Sequence, residues 1–164
     1  MRLASIRAQI TTLLQQADPD AQVHDYERWT NDPQTVRDLF KGTLRNDQHL
    51  HAWVFKPVSC ATAHYTQTSD LVTYVFLFRF LYSLTDADAS EKTAWTYLEQ
   101  ARQLLRNHPS RAEAVERAAA ADDGPLRGKP GLQIEKLDVL TFTGVLCHYG
   151  ELRMAVAEDA ALEG

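Results

Sequence analysis

The length and composition of the chain predict one domain with a substantial core. Its 164 residues are 45% hydrophobic and 24% charged, which is enough apolar material for a single compact fold. No run of about 18 apolar residues is available for a membrane helix, and residues 1–10 alternate polar with apolar side chains instead of forming the apolar block of a signal peptide. We therefore expect a soluble, intracellular protein with no membrane partner.

Charge and cysteine content argue against nucleic-acid binding, a disulfide framework and a zinc ribbon. The formal charge of -5 offers no basic field for holding phosphates, so the composition argues against a protein that grips nucleic acid directly. Cys60 and Cys147 are far apart in sequence and match no Cys-x-x-Cys spacing, which argues against a disulfide framework or a zinc ribbon. We expect both thiols to be reduced.

An amphipathic helix and a short strand are predicted first. Residues 1–17 carry an apolar stripe at three- and four-residue spacing, formed by Leu3, Ile6, Ile10, Leu13 and Leu14. The helix is expected to end at "DPD", residues 18–20, because proline cannot continue it. The stretch "AQVHDYER", residues 21–28, has mixed polarity on both alternating faces and predicts a partly exposed edge strand.

A second, shorter helix is predicted from about residue 33 to residue 41. Asp32 is a suitable N-cap, and Pro33 suits the first helical position. Val36, Leu39 and Phe40 follow on one side of this helix, and we expect Gly42 to stop it.

The middle of the chain has the clearest strand pattern. Residues 49–56, "HLHAWVFK", alternate two histidines and two aromatic residues with Leu50, Ala52, Val54 and Lys56, and residues 71–84 place five aromatic side chains on one face. These five are Tyr74, Phe76, Phe78, Phe80 and Tyr82. Because the opposite face is also mostly apolar, we expect a central strand in a sheet covered by helices.

The segment between these strands is expected to be a long hairpin arm. Residues 57–70, "PVSCATAHYTQTSD", are polar, rich in threonine and serine, and too numerous for a tight turn. Since the segment lacks core-forming residues, we expect it to project from the subunit and to reach a neighbouring molecule.

A third helix is predicted to cover the aromatic face. Asp88 and Glu91 have capping-box spacing, and residues 107–109, "NHP", are expected to end the helix. Its predicted buried side chains are Ala94, Trp95, Leu98, Ala101 and Leu105. Residues 110–131 are expected to form a variable surface helix, opened by a second capping box at Ser110 and Glu113, followed by a loop.

Two final strands complete the predicted fold. "LQIEKLDVLTF", residues 132–142, and "GVLCHYGELRMAVAED", residues 144–159, both have strand patterns. The order helix, strand, helix, strand, strand, helix, strand, strand indicates an α+β protein, with a mostly antiparallel sheet flanked by helices. No internal repeat or change of composition divides residues 1–164 into more than one domain.

A metal-dependent hydrolase is the enzyme alternative. His49 and His51 share one face of a strand, and a His-x-His pair can begin a metal site. The third ligand would have to come from His64, Cys60 or Asp70, and nothing in the sequence fixes that distance. The other interpretation is a pair of half-buried polar residues at the sheet edge, and for that reason no metal or cofactor is predicted.

Other catalytic patterns are absent from the sequence. There is no phosphate-binding glycine loop, no Gly-x-Ser-x-Gly elbow and no His-Glu-x-x-His helix. Cys147 and His148 are adjacent on a predicted strand, so their side chains point to opposite faces and cannot act as nucleophile and base. We predict no catalytic residues and no enzyme activity.

The aromatic and charged cluster "VHDYERW", residues 23–29, has two interpretations. Tyrosine, tryptophan and arginine are enriched where proteins bury contacts, which favours recognition through Asp25, Tyr26 and Arg28. Alternatively, Arg28 pairs with Asp25 or Glu27 and Trp29 fills the core beneath the second helix. The sequence leaves both open.

The order of elements and several motifs resemble the tail-terminator, or tail-completion, proteins of tailed bacteriophages. The similarity extends roughly from residue 1 to 158 and includes "VHDYERW", "HAWVF", "YVFLFRFLYSL", "WTYLEQARQLL" and "CHYGELRMAVAE". The alanine-rich segment 112–121 has no counterpart in the family pattern.

This resemblance implies a structural virion protein located between the phage tail and neck and assembled in the host cytoplasm. Such proteins form rings, usually hexamers, that cap the head-proximal end of the tail tube and stop its polymerisation. The implied partners are other copies of the chain, the tail tube protein and a neck or connector protein. DNA would pass through the lumen without specific binding. A head-tail connector is the related alternative.

Two surfaces are expected to join neighbouring subunits in such a ring. We predict that one is the edge strand from Val23 to Arg28, with Asp25, Tyr26 and Arg28 as candidates. The other is the hairpin arm, for which His64, Tyr65 and Thr66 are the candidates.

Overall fold

The residues that the structure describes form three complete helices and a five-stranded sheet. A computed structural model describes residues 2–28, 31–42, 49–67, 69–107, 118, 126 and 128–161. The helices are α1 (Arg2–Ala17), α2 (Pro33–Leu39) and α3 (Ser90–Asn107). The strands are β1 (Gln22–His24), β2 (His51–Thr66), β3 (Ser69–Ser83), β4 (Gln133–Phe142) and β5 (Val145–Ala161). The predicted α+β class and the predicted order of these elements are confirmed.

The sheet is open and mostly antiparallel. Its strand order is β1-β2-β3-β5-β4, and only the β1–β2 pair is parallel. The predicted central strand is confirmed, since β3 lies between β2 and β5. Thr143 and Gly144 connect β4 to β5 with positive φ at both positions, the geometry that suits a two-residue hairpin turn. No helix in the described residues has the length and apolarity needed to cross a membrane.

The aromatic face of the sheet carries the main core. Its side chains come from alternate positions of β2, β3 and β5, and α1 and α3 cover them. The predicted stripe of α1 is confirmed by the burial of Ile6, Ile10, Leu13 and Leu14. We call this side of the sheet the helical face.

The predicted inward position of Trp95 is wrong. The side chain is 45% exposed, whereas Ala94, Leu98, Ala101 and Leu105 of the same helix are buried. Ala94 and Leu98 define the side of the helix that faces the sheet. Adjacent helical residues point about 100° apart, so Trp95 is turned away from that side. The aromatic side chain that α3 packs against the core is instead Tyr97, whose ring lies 4.7 Å from that of His51.

The start of α3 also differs from the prediction. The helix begins at Ser90, after a 3-10 turn at Asp86–Asp88 and a residue in the left-handed region, Ala89, with φ of 49°. Asp88 therefore belongs to the 3-10 turn and lies two residues before the first residue of α3.

A buried polar cluster joins the end of α1 to β2. Asp18 is fully buried, and its Oδ2 accepts a hydrogen bond from Nε1 of Trp53 at 2.8 Å. The same oxygen lies 2.8 Å from Nε2 of His51. The helix ends at Ala17, as the sequence predicts, and the first residue after it supplies a hydrogen-bond acceptor to the sheet.

The second face of the sheet is covered in part by α2. The predicted N-cap is confirmed, since the Asp32 side chain accepts hydrogen bonds from the backbone N–H groups of Gln34 and Thr35. The helix ends at Leu39 and not near Gly42. Phe40 is buried against the core of the second face, and Lys41 already forms a β-bridge with Leu50, so the chain leaves the helix two residues early.

The predicted surface helix and loop at 110–131 lie mostly outside the described residues, as do the second capping box and Trp29. Ala118 and Leu126 are described, and both are buried against Leu71, Ala155 and Ala157. These two residues therefore pack on the second face of the sheet, beside the ends of β3 and β5.

Candidate subunit interface

The outer half of β2 is an exposed sheet edge. Every residue from Val58 to Thr66 is exposed, whereas the strand from His51 to Phe55 is buried. β3 pairs with β2 along its whole length, but β1 pairs only with Ala52–Val54. Beyond that short contact, the described residues place no strand on the free side of β2. We call Val58–Thr66 the outer edge.

The outer edge lacks the charges that usually protect a free strand. Residues 58–66, "VSCATAHYT", contain no Asp, Glu, Lys or Arg. Proteins commonly protect an edge with lysine, other charges, proline or bulges, because unpaired N–H and C=O groups attract other strands. The sheet irregularities near Pro57 and near Tyr65 lie at the two ends of this stretch and leave Ser59–His64 regular.

The opposite edge of the sheet is protected. β4 carries Glu135, Lys136 and Asp138, together with a bulge between Ile134 and Lys136. The Asp138 carboxylate accepts a hydrogen bond from the Val139 N–H at 2.8 Å and pairs with Lys136 at 3.2 Å. The backbone hydrogen bond, with a smaller contribution from Lys136, lowers the pKa of Asp138. The outer edge of β2 is therefore the unprotected edge of the sheet, and β4 is the protected one.

Three predicted interface residues lie at the tip of this hairpin. Nδ1 of His64 lies 3.0 Å from Oδ1 of Asp70, and the hydroxyls of Thr66 and Ser69 lie 2.6 Å apart. Both contacts join β2 to β3. Tyr65 sits between them at a break in the register, with 53% of its surface exposed. The tip is therefore held by cross-strand polar contacts while its aromatic ring points outward.

The other three predicted interface residues do not lie on a strand. β1 ends at His24, so the expected edge strand from Val23 to Arg28 is wrong beyond that point. Glu27 turns back to the sheet, where its carboxylate accepts from Arg79 at 2.5 Å and from Lys56 at 2.8 Å. These ion pairs draw the chain away from an extended path.

Asp25, Tyr26 and Arg28 flank this turn. The Arg28 guanidinium carbon lies 5.4 Å from the centre of the Tyr26 ring, and Tyr26 is half exposed. Asp25 is partly buried. A cation–π pair of this kind can form on a surface without any partner, so it does not identify an interface.

The two sets of candidate residues lie far apart. His24 pairs with Val54, whereas the tip lies beyond His64, ten residues further along β2. At about 3.3 Å per residue this separates the sets by roughly 33 Å. They form two separate surfaces, as a contact between different faces of neighbouring subunits would require.

The residues of the hydrolase alternative are not brought together. His49 and His51 are buried, and His51 faces Asp18. Cys60, His64 and Asp70 lie on the outer half of the hairpin, at least nine residues along β2 from His51. Within the described ranges, no group of three His, Cys, Asp or Glu side chains has the geometry to hold a metal ion.

A groove between α3 and β4 was not anticipated from the sequence. It has a volume of about 620 Å³, and its walls include Trp95 from the helix and Leu137 and Val139 from the strand. Gly150 lies in the floor, where an added Cβ would meet Leu137 at 3.3 Å and Phe80 at 3.4 Å. We call this feature the α3–β4 groove. No pattern in the sequence marks it, since the sequence assigned Trp95 to the core.

A serine and a histidine meet at one end of this groove. Oγ of Ser90 lies 2.9 Å from Nε2 of His148, and the same oxygen accepts a hydrogen bond from the Thr85 N–H at 2.9 Å. Ser90 is only 3% exposed. The contact attaches the first residue of α3 to β5 and fixes the end of the groove. The residues are 58 positions apart, and no local pattern in the sequence connects them.

The two cysteines are expected to differ sharply in reactivity. Cys60 is exposed on the outer edge, whereas Cys147 is buried on the second face, where burial raises the pKa of its thiol to about 11. The thiolate is the reactive species, and at pH 8 only on the order of a thousandth of Cys147 is ionised. Titration of the folded protein with a disulfide reagent should detect one thiol, and titration in denaturant should detect two.

The Cys60→Ser variant is the control for this titration. It should show no fast thiol when folded and one when unfolded. Two rapidly reacting thiols in the folded protein would contradict the burial of Cys147.

Comparison with known proteins identifies no relative of the chain. The sequence matches no protein-family model, and no curated protein is similar to it at a significant level.

Proposed function

We propose that the protein is a structural subunit of a bacteriophage tail, forming a ring that ends the growth of the tail tube. The observation that carries the proposal is the outer edge of β2, a long exposed strand without charged residues. The resemblance to tail-terminator proteins supplies the identity of the assembly, and the outer edge supplies a physical reason for assembly.

A free edge of this kind attracts strands of other molecules unless a partner already occupies it. Nine exposed residues present a row of backbone donors and acceptors that a further strand can pair. Addition of a strand provides backbone hydrogen bonds, while alternate side chains provide specificity. A protein that works as part of an assembly can leave such an edge open, because assembly occupies it.

The charge of the chain suits a ring around DNA. At -5 per subunit, a ring of several copies is strongly acidic. Acidic walls repel phosphates, so the duplex can slide through without being bound. On this proposal the protein contacts other copies of itself, the tail tube protein on one side and a neck or connector protein on the other.

Removal of the gene from the phage that carries it tests the function. If the protein ends tube growth, electron microscopy should show overlong tails without heads. Tails of normal length with heads attached would overturn the proposal. Tails of normal length that fail to join heads would instead assign the protein to the head-tail connector.

A lysine on the outer edge is expected to block assembly without unfolding the protein. Thr62 is exposed in the middle of the outer edge, so Thr62→Lys should change the melting temperature by no more than about 2 °C. An edge lysine opposes the addition of a strand because its charge would be buried. The variant should therefore fail to restore infectious particles to the phage that lacks the gene.

Thr12→Lys is the matched control, since Thr12 is an exposed threonine on α1 that is remote from the outer edge. It should restore infectivity fully. Full rescue by Thr62→Lys would show that the outer edge is not used in assembly. Deletion of the hairpin tip is a poorer test, because β5 pairs with β3 as far as Ser69 and would lose contacts as well.

A further inference from the structure

Most of the large exposed apolar side chains of the described residues lie at opposite edges of the sheet. Val58 and Tyr65 belong to the outer edge of β2. Trp95, Leu137 and Val139 line the α3–β4 groove at the other end of the sheet. Tyr26 and Leu146 lie elsewhere. Single exposed apolar residues are ordinary, whereas a contiguous group marks an interaction surface.

We propose that the α3–β4 groove binds exposed side chains of the outer edge of β2, with Tyr65 as the anchor, from a neighbouring copy of the chain. The inference rests on the proposed ring and specifies the second of its two contact surfaces. It replaces the surface predicted at residues 23–28, where the chain is not a strand beyond His24.

Charge favours a second copy in this position. Two copies that each carry a charge of -5 repel one another, so a stable contact needs surfaces with little charge of their own. The outer edge contains no Asp, Glu, Lys or Arg. The charged residues that line the groove are Glu91, Lys92 and Asp138, which include both signs. Lys92 partly offsets the charge of the two carboxylates. The groove therefore has little net charge to repel or attract an uncharged segment.

The shapes of the two surfaces are also compatible. Gly150 leaves the floor of the groove open to Phe80, between the walls formed by Trp95 and Val139. Tyrosine and tryptophan are the side chains that most often dominate protein contacts. The outward-pointing ring of Tyr65 is the natural anchor for such a groove.

The positions of the surfaces determine the symmetry. The outer edge and the groove are different surfaces on opposite sides of the subunit, so each copy can bind one neighbour on either side. Such head-to-tail contacts generate a ring when the rotation between copies closes. Pairing of two outer edges would instead give a two-fold dimer and leave the groove empty.

Photo-crosslinking between copies tests the contact even when the ring is weak. A benzophenone amino acid at position 65 would be mixed with an equal amount of isotopically labelled wild-type protein, at about 1 mM so that weak contacts are populated. Mass spectrometry should then find mixed-label crosslinks to Trp95, Leu137 or Val139. Crosslinks to residues 58–66 of the other copy, crosslinks to residues 23–28, or no crosslink between copies would each overturn the inference.

A matched pair of variants makes the result specific. Val139→Arg places a charge in the groove at a half-exposed position and should reduce the crosslink yield by about tenfold or more. Tyr26→Arg alters a side chain of similar exposure outside both surfaces and should leave the yield unchanged. Equal yields from the two variants would count against the groove. The gene-deletion phenotype is independent of these outcomes, so a misassigned contact and a misassigned function are distinguishable.

Discussion

Replacement of Phe78 with alanine is expected to lower the free energy of unfolding by about 3–5 kcal/mol. Phe78 is fully buried at the centre of β3, and its ring stacks on Phe55 with centroids 5.5 Å apart. It belongs to the core that α1 and α3 cover, where a cavity cannot be filled without moving a helix. Urea denaturation followed by circular dichroism would measure the loss.

Trp95→Ala is the matched comparison for this prediction. Although tryptophan is the larger side chain, Trp95 is 45% exposed on the outer side of α3, so we expect a loss of about 1 kcal/mol or less. Similar losses from both variants would mean that α3 is rotated and that Trp95 faces the core. A small effect of Phe78→Ala would mean that the wrong face of β3 has been assigned to the core.

Periodicity was enough to predict most of the fold. The aromatic alternation of β3 places five aromatic side chains on one face and a mostly apolar set on the other, and this pattern occurs in strands covered on both sides. The stripe of α1 and its end before Pro19 follow equally from local patterns. In these elements the local pattern and the tertiary packing agree.

The errors arose where tertiary contacts override local patterns. Residues 21–28 alternate like a strand, but the ion pairs of Glu27 with Arg79 and Lys56 bend the chain after His24. These partners are 52 and 29 positions away, and no window of local sequence contains them. In α3, hydrophobicity alone assigned Trp95 to the core, whereas Tyr97 is the aromatic residue that packs there.

The two surfaces of the proposed interface differ in the same way. The outer edge of β2 lies in the stretch that the sequence marks as polar and without core-forming residues, although that stretch was predicted to be an arm between two strands. The α3–β4 groove combines a helix, two strands and Gly150, so its existence depends on the sheet order. The sequence assigned Trp95 to the core, so it gave no sign of a surface on that side of α3.

The second large effect is expected at Asp18, which the sequence presents only as a helix-ending residue. Its Oδ2 serves both Trp53 and His51, at 2.8 Å each, in a fully buried position. Alanine at this position would leave two buried polar groups without their acceptor. Each unsatisfied buried group is unfavourable by about 1–3 kcal/mol, so Asp18→Ala should lower the free energy of unfolding by about 2–6 kcal/mol.

Two variants distinguish the buried acceptor from a simple loss of charge. Asp18→Asn retains an oxygen that can accept from the Trp53 N–H, so it should recover part of the stability lost in Asp18→Ala. Asp38→Ala removes an exposed carboxylate that pairs with Lys41 at 3.0 Å, and such surface pairs contribute about 0–1 kcal/mol. Urea denaturation of the three variants should rank the losses as Asp18→Ala, then Asp18→Asn, then Asp38→Ala. An Asp18→Ala protein as stable as Asp38→Ala would show that the carboxyl group does not hold the end of α1 on β2.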